Sequence, residues 1–208
     1  MPEIPQKTVV RKITASMVTA QKDYAESSLD FLCDAPEYLL TVYIYQALHR
    51  ARGGKYLTFE ESPIDIDYCL GRTRRGRKPH ELRPRGRCDL LLWSSRAKPR
   101  AIIEVKRNTK NIEADIRRLA AMLLKDRRLS FGVLACYICQ HISNKSEAQA
   151  RKKLETILEN VLAKTQSIAE GRVRFELSNQ SILRAKVSDG RWVWRPVCFI
   201  FTPIRVNK

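Results

Sequence analysis

The chain has 208 residues, 44 % of them apolar, which is enough for one well-filled core but thin for two. Lys and Arg outnumber Asp and Glu by 39 to 22, and the resulting net charge of +17 points to a polyanionic partner, nucleic acid first. No apolar run of membrane-spanning length occurs, no basic amphipathic helix suggests a membrane surface, and the N-terminus lacks the apolar region of a signal peptide, so a cytoplasmic protein is expected.

Residues 1 to 22 are polar, mildly basic and weakly patterned, which predicts an N-terminal arm ahead of a single domain over 23–208. In "CDAPEYLLTVYIYQALHRARGGK", Asp34 is placed to cap a helix with Pro36 in its first turn. Leu39, Leu40, Tyr43, Ile44, Ala47 and Leu48 form its apolar stripe, and Gly53 and Gly54 end it. "KYLTFEE" and "PIDIDYCL" read as short strands separated by a Ser-Pro break. The next stretch, "GRTRRGRKPHELRPRGR" (residues 71 to 87), carries eight Arg or Lys against one Glu, and its Gly and Pro residues predict a loop.

"CDLLLW" (88–93) and "AIIEVK" (101–106) are continuous apolar runs, the pattern of adjacent central strands. "NIEADIRRLAAMLLKD" then puts Ile112, Ile116, Leu119, Ala120 and Leu123 on one helical face. "FGVLACYICQ" follows as a strand, and a helix from about 146 to 166 opens on a capping box of Ser146 and Gln149. "RVRFELS" and "RWVWRPVCFIFTPI" read as closing strands, the latter broken at Pro196. The order predicts an α/β layer fold with a central mixed β-sheet flanked by helices.

Among the six cysteines, Cys136 and Cys139 form the close pair, but positions three apart in a strand face opposite ways and the three histidines are scattered. Neither a zinc centre nor a disulfide framework is expected.

The chemistry concentrates at "PRAIIEVKR". Glu104 and Lys106 stand two apart in a strand and share a face, while Val105 points to the other. If the two apolar runs form an antiparallel hairpin through 94–100, the start of the first meets the end of the second, and Asp89 lands beside Glu104 and Lys106. Two carboxylates with a lysine make a device for phosphodiester chemistry. Hard cations such as Mg²⁺ take oxygen ligands and acidify a bound water, and a lysine can orient that water or steady charge on phosphorus.

This pattern resembles the PD-(D/E)XK nuclease superfamily, in which an Asp on one strand and an (Asp/Glu)-x-Lys on the next form the metal site. The matching residues are Asp89 and Glu104-Val105-Lys106, with Cys88 where a proline is common. The resemblance implies a restriction-endonuclease-like core over residues 30 to 140: a helix, three to four strands, a following helix and another strand. It implies a metal-dependent enzyme hydrolysing DNA phosphodiester bonds, with Asp89 and Glu104 as ligands of Mg²⁺ or Mn²⁺ and Lys106 positioning the attacking water. The superfamily also commonly supplies a glutamate from a preceding helix, which "PEYLL" offers in Glu37. Glu37 also stands three residues after Asp34, where a capping box would place a glutamate, so both readings stay open.

The basic loop emerges beside this site, and Arg72, Arg74, Arg75, Arg77, Lys78, Arg83, Arg85 and Arg87 are candidates to grip phosphates on either side of the scissile bond. Arg118 is a further phosphate candidate, although Asp115, three residues earlier, offers it a helical ion pair. Asp65 and Asp67 also share a strand face but have no lysine at the matching spacing, so they read as the solvated side of an edge strand. Trp192 and Trp194 alternate and could stack on bases, though packing is the plainer reading. The alternatives are a non-catalytic nucleic-acid-binding protein, for DNA or RNA, that retains the nuclease fold, and an unrelated RNA-binding module. Sequence specificity, endo- or exonuclease action and a homodimer cutting both strands stay open.

Overall fold

A computed structural model describes residues 4–51, 57–61, 87–94, 98–142, 146–188 and 190–204. The elements in order are α1 (Gln6–Ser28), α2 (Glu37–His49), β1 (Leu57–Glu61), β2 (Cys88–Trp93), β3 (Pro99–Lys106), α3 (Ile112–Lys125), β4 (Phe131–Ile142), α4 (Glu147–Ala169), β5 (Val173–Asn179), β6 (Leu183–Val187) and β7 (Gly190–Pro203). The strands form one seven-stranded mixed sheet. β1, β2 and β3 run as an antiparallel meander, and β4 then lies parallel to β3 by way of α3. β7 pairs antiparallel with β4, and β5 and β6 both pair with the other side of β7.

The continuous apolar runs are explained by helices on both faces. Ile102 of β3 joins the core beneath α3 and α4, whereas Ala101, Ile103 and Val105 join the core beneath α1 and α2. Gly132 of β4 lets α3 lie close: a Cβ there would meet Leu119 Cδ2 at 3.2 Å and Leu123 Cδ1 at 3.3 Å. The capping box forms at the start of α4 as predicted, with Ser146 and Gln149 bonded reciprocally. Cys136 and Cys139 do fall in the cores on opposite faces of the sheet.

The N-terminal segment differs from expectation. Residues expected as an arm form most of the 23-residue helix α1, in which Val9, Val10, Ile13, Met17 and Ala20 are buried. The stripe has helical period but is interrupted by polar residues. Thr14 and Ser16 can sit inside it because their hydroxyls donate back to the carbonyls of Val10 (3.2 Å) and Ile13 (2.8 Å). Gln21 carries the helix into the core, where its Oε1 accepts from the Tyr137 hydroxyl at 2.5 Å and the Leu32 N–H at 3.2 Å. Beyond α1, the Ser188 N–H donates to the Leu29 carbonyl at 2.9 Å, and Phe31 stacks on Trp192 with ring centroids 4.4 Å apart. Trp194 stacks on Tyr137, so both tryptophans serve packing.

Two further expectations change. Asp34 lies in a short 3-10 turn, and Pro36 takes the N-cap position of α2 without any side-chain cap. β7 passes unbroken through Pro196, which pairs with Tyr137. On its outer side β7 pairs with β5 as far as Val197 and with β6 from Trp194, so Pro196 falls between the two partners and its missing N–H leaves no bond unmade there. The end of the first predicted helix at Gly53 and Gly54, the "PIDIDYCL" strand with Asp65 and Asp67, and the basic loop through Arg85 lie outside the described residues. No helix among those described is long and apolar enough to cross a membrane.

Candidate active site

The β2–β3 hairpin builds the site. Leu90 pairs with Ile103, a register that brings Asp89 to Glu104 one step further along. Near the start of β2 its backbone pairing with β3 stops, and the Asp89 side chain takes over: Oδ2 accepts from the Val105 N–H at 2.6 Å. Glu104 is 0 % exposed, while Lys106 ends the strand, where its long chain can leave the sheet.

Lys106 reaches carboxylates from both helical layers. Its Nζ lies 3.3 Å from Glu37 Oε1 on α2 and 3.5 Å from Asp115 Oδ2 on α3. The second oxygen of Glu37 accepts from the Arg107 N–H at 2.9 Å, and the Arg107 guanidinium donates to the Ala35 carbonyl. Glu37 therefore ties the start of α2 to the end of β3, and its carboxylate is turned to the site rather than to a cap. The geometry brings Asp89, Glu104 and Lys106 together, the juxtaposition expected from the hairpin, and places Glu37, left open between site and cap, on Lys106.

The partly buried guanidinium of Arg118 is paired inside the site. Its Nε donates to Glu104 Oε1 at 3.0 Å and its Nη2 to Glu104 Oε2 at 2.6 Å, a two-pronged grip, and Nη2 also meets Asp115 Oδ1 at 2.8 Å. Only 15 % of the Arg118 side chain is exposed. Arg87 is exposed and paired with Glu60 at 3.0 Å, and Arg72, Arg74, Arg75, Arg77, Lys78, Arg83 and Arg85 lie outside the described residues.

Sequence reasoning missed Asp115 and Arg107 as members of this cluster. Asp115 did carry a signal: it stands on α3 between Ile112 and Ile116 in line with Leu119, a carboxylate inside an apolar stripe, and it is buried.

Burial dominates the electrostatics. It pushes Glu104 up to about 8, against the pull of Arg118, and raises Asp89 against the pull of the Val105 N–H and Lys106. For Lys106, partial burial pulls downward, but Asp115, Glu37 and Asp89 together outweigh it and hold the ammonium above its ordinary value. Lys106 is thus a fixed cation, suited to donating to a water or a phosphate oxygen and unsuited to removing a proton.

The donor chemistry suits a hard cation. Glu37, Asp89, Glu104 and Asp115 offer only oxygen, and these four carboxyl groups outnumber the Lys106, Arg107 and Arg118 cations around them. Among the described residues, however, no three His, Cys, Asp or Glu side chains converge as a ready ligand set. Both Glu104 oxygens are held by Arg118. No protein-family model, no curated protein and no solved structure matches the chain.

Proposed function

We propose that the protein is a metal-dependent nuclease of the PD-(D/E)XK type, hydrolysing DNA phosphodiester bonds with this cluster. The observation that carries the reading is the meeting of Asp89, Glu104 and Lys106 at one end of the β2–β3 hairpin, with Glu37 on Lys106. The succession α2, β1, β2, β3, α3, β4 also fits the helix, strands, helix and strand of a restriction-endonuclease-like core. The net charge of +17 supports a nucleic-acid substrate.

In this reading Asp89 and Glu104 hold Mg²⁺ or Mn²⁺, which when bound supplies charge neutralisation at the phosphodiester and a water acidified toward neutral pH. Lys106 orients the attacking water and steadies charge on the non-bridging oxygens. Glu37 holds the Lys106 ammonium in place and keeps it protonated. Val105, through its N–H, fixes the Asp89 carboxylate relative to the strand that bears the other two groups. The basic segment ahead of β2 would hold the substrate backbone by sequence-independent contacts.

The grip of Arg118 on Glu104 favours a second reading, a nucleic-acid-binding protein that keeps the fold without cutting. Incubation with plasmid, single-stranded DNA and RNA in Mg²⁺ or Mn²⁺ separates the two. Cleavage by wild type that is lost in Lys106→Ala and Asp89→Ala supports the nuclease. Intact binding with no cleavage of any substrate supports the second reading.

A further inference from the structure

Resting on the nuclease reading, we propose that Arg118 is a latch on the metal site: a resident cation that occupies Glu104 and must leave it before a divalent ion can use that carboxylate. Three observations lead there. The guanidinium engages both Glu104 oxygens, at 3.0 and 2.6 Å, in the planar fork that matches a carboxylate. Glu104 is fully buried on an interior strand, so a positive charge held against it is poorly screened and opposes a dication at the same oxygens. Arg118 also has a second seat, Asp115 at 2.8 Å on its own helix, which can hold the guanidinium once Glu104 is given up.

These features describe an element with two arrangements. With Arg118 on Glu104, that carboxylate is neutralised from within. With Arg118 resting on Asp115 alone, Glu104 is open to an ion alongside Asp89. Metal entry and the Arg118–Glu104 pair are then competitors, and each weakens the other by the same factor. A purely structural Arg118, present only to neutralise a buried glutamate, would make no such exchange, and its removal would lower stability without improving metal affinity.

The test is Mn²⁺ affinity, measured by electron paramagnetic resonance or calorimetry on the full chain without nucleic acid. Arg118→Met, of similar length but uncharged, is expected to bind Mn²⁺ about tenfold tighter than wild type. The gain should vanish in Arg118→Met with Glu104→Gln. If Arg118→Met does not fold, Arg118→Lys keeps the charge without the two-pronged grip, and its affinity should rise several-fold. Equal or weaker Mn²⁺ binding in the folded variant overturns the latch. When wild type still binds Mn²⁺ and Asp89→Ala does not, that result leaves the nuclease reading standing. Absence of Mn²⁺ binding in wild type and all variants overturns the latch and the metal site together.

Discussion

Val105 donates its backbone N–H to Asp89 Oδ2 at 2.6 Å, although its own side chain points to the opposite face of the sheet from Glu104 and Lys106. An acid on one strand is thereby locked to the backbone unit between the two charged residues of the next. Asp89→Asn retains an oxygen acceptor and is expected to fold with a melting temperature close to wild type while losing cleavage. Asp89→Ala leaves the Val105 N–H without that partner and should also lose about 1–3 kcal/mol in denaturant unfolding. Equal stability of the two variants would show that the hydrogen bond matters little to the fold.

Lys106 and Glu37 form a partly exposed pair, with 20 % and 39 % of their side chains accessible, so their Coulombic contribution to stability is small. Glu37→Gln should change stability by less than about 1 kcal/mol. Its cleavage rate should fall by about tenfold, as expected of a residue that positions a catalytic group. Lys106→Ala should cost ~10²-fold or more. If Glu37→Gln lowered the melting temperature and left the rate untouched, Glu37 would be a structural residue only.

The raised carboxyl groups set a pH dependence. A group such as Glu104, moved from 4.5 up to about 8 by burial, binds its proton more tightly in the folded than in the unfolded chain. Its contribution to stability is complete below the unfolded value and is lost as pH rises through the folded one. In chelator, the stability of wild type relative to Glu104→Gln should therefore decline from about pH 5 to about pH 8. Because a metal ion competes with that proton, Mg²⁺ should raise the wild-type melting temperature more at the upper end of this range. A difference that stays flat across it would contradict the assignment.

The α1 helix should behave as core. Met17 is 0 % exposed, and Met17→Ala is expected to cost about 2–5 kcal/mol in denaturant unfolding. A loss within a few tenths of a kcal/mol would instead suit a frayed arm.

What could be read from the sequence follows from where each signal originates. β2 and β3 were legible because burial on both faces leaves an uninterrupted apolar run, and the period-2 rule then put Glu104 and Lys106 on one face. The helix α1 was not, because Thr14 and Ser16 inside its stripe satisfy their hydroxyls on their own helix, which no apolar count registers. Pro196 suggested a break because a lone strand shows nothing of its neighbours, and the gap between β5 and β6 exists only in the assembled sheet. The grip of Arg118 on Glu104 was hidden for a similar reason. Asp115, three residues before it, is visible along the helix, but Glu104 becomes its partner only when α3 folds back across β3.

The bond between Ser188 and Leu29 spans 159 residues of chain. It has a consequence for how the molecule is made. α1 emerges from the ribosome early, yet part of its seat is β7, and β7 does not exist until nearly the whole described chain has been synthesised. The β2–β3 hairpin and the β3–α3–β4 unit can close soon after they appear, since their contacts are local. The part of the α1 stripe that seats on β7 must wait for a strand far downstream, although α2 can cover the rest early. The last cooperative step in folding is therefore expected to be the docking of α1 and β7, and substitutions on that face should slow maturation and favour aggregation of nascent chains even where the finished hairpin is intact.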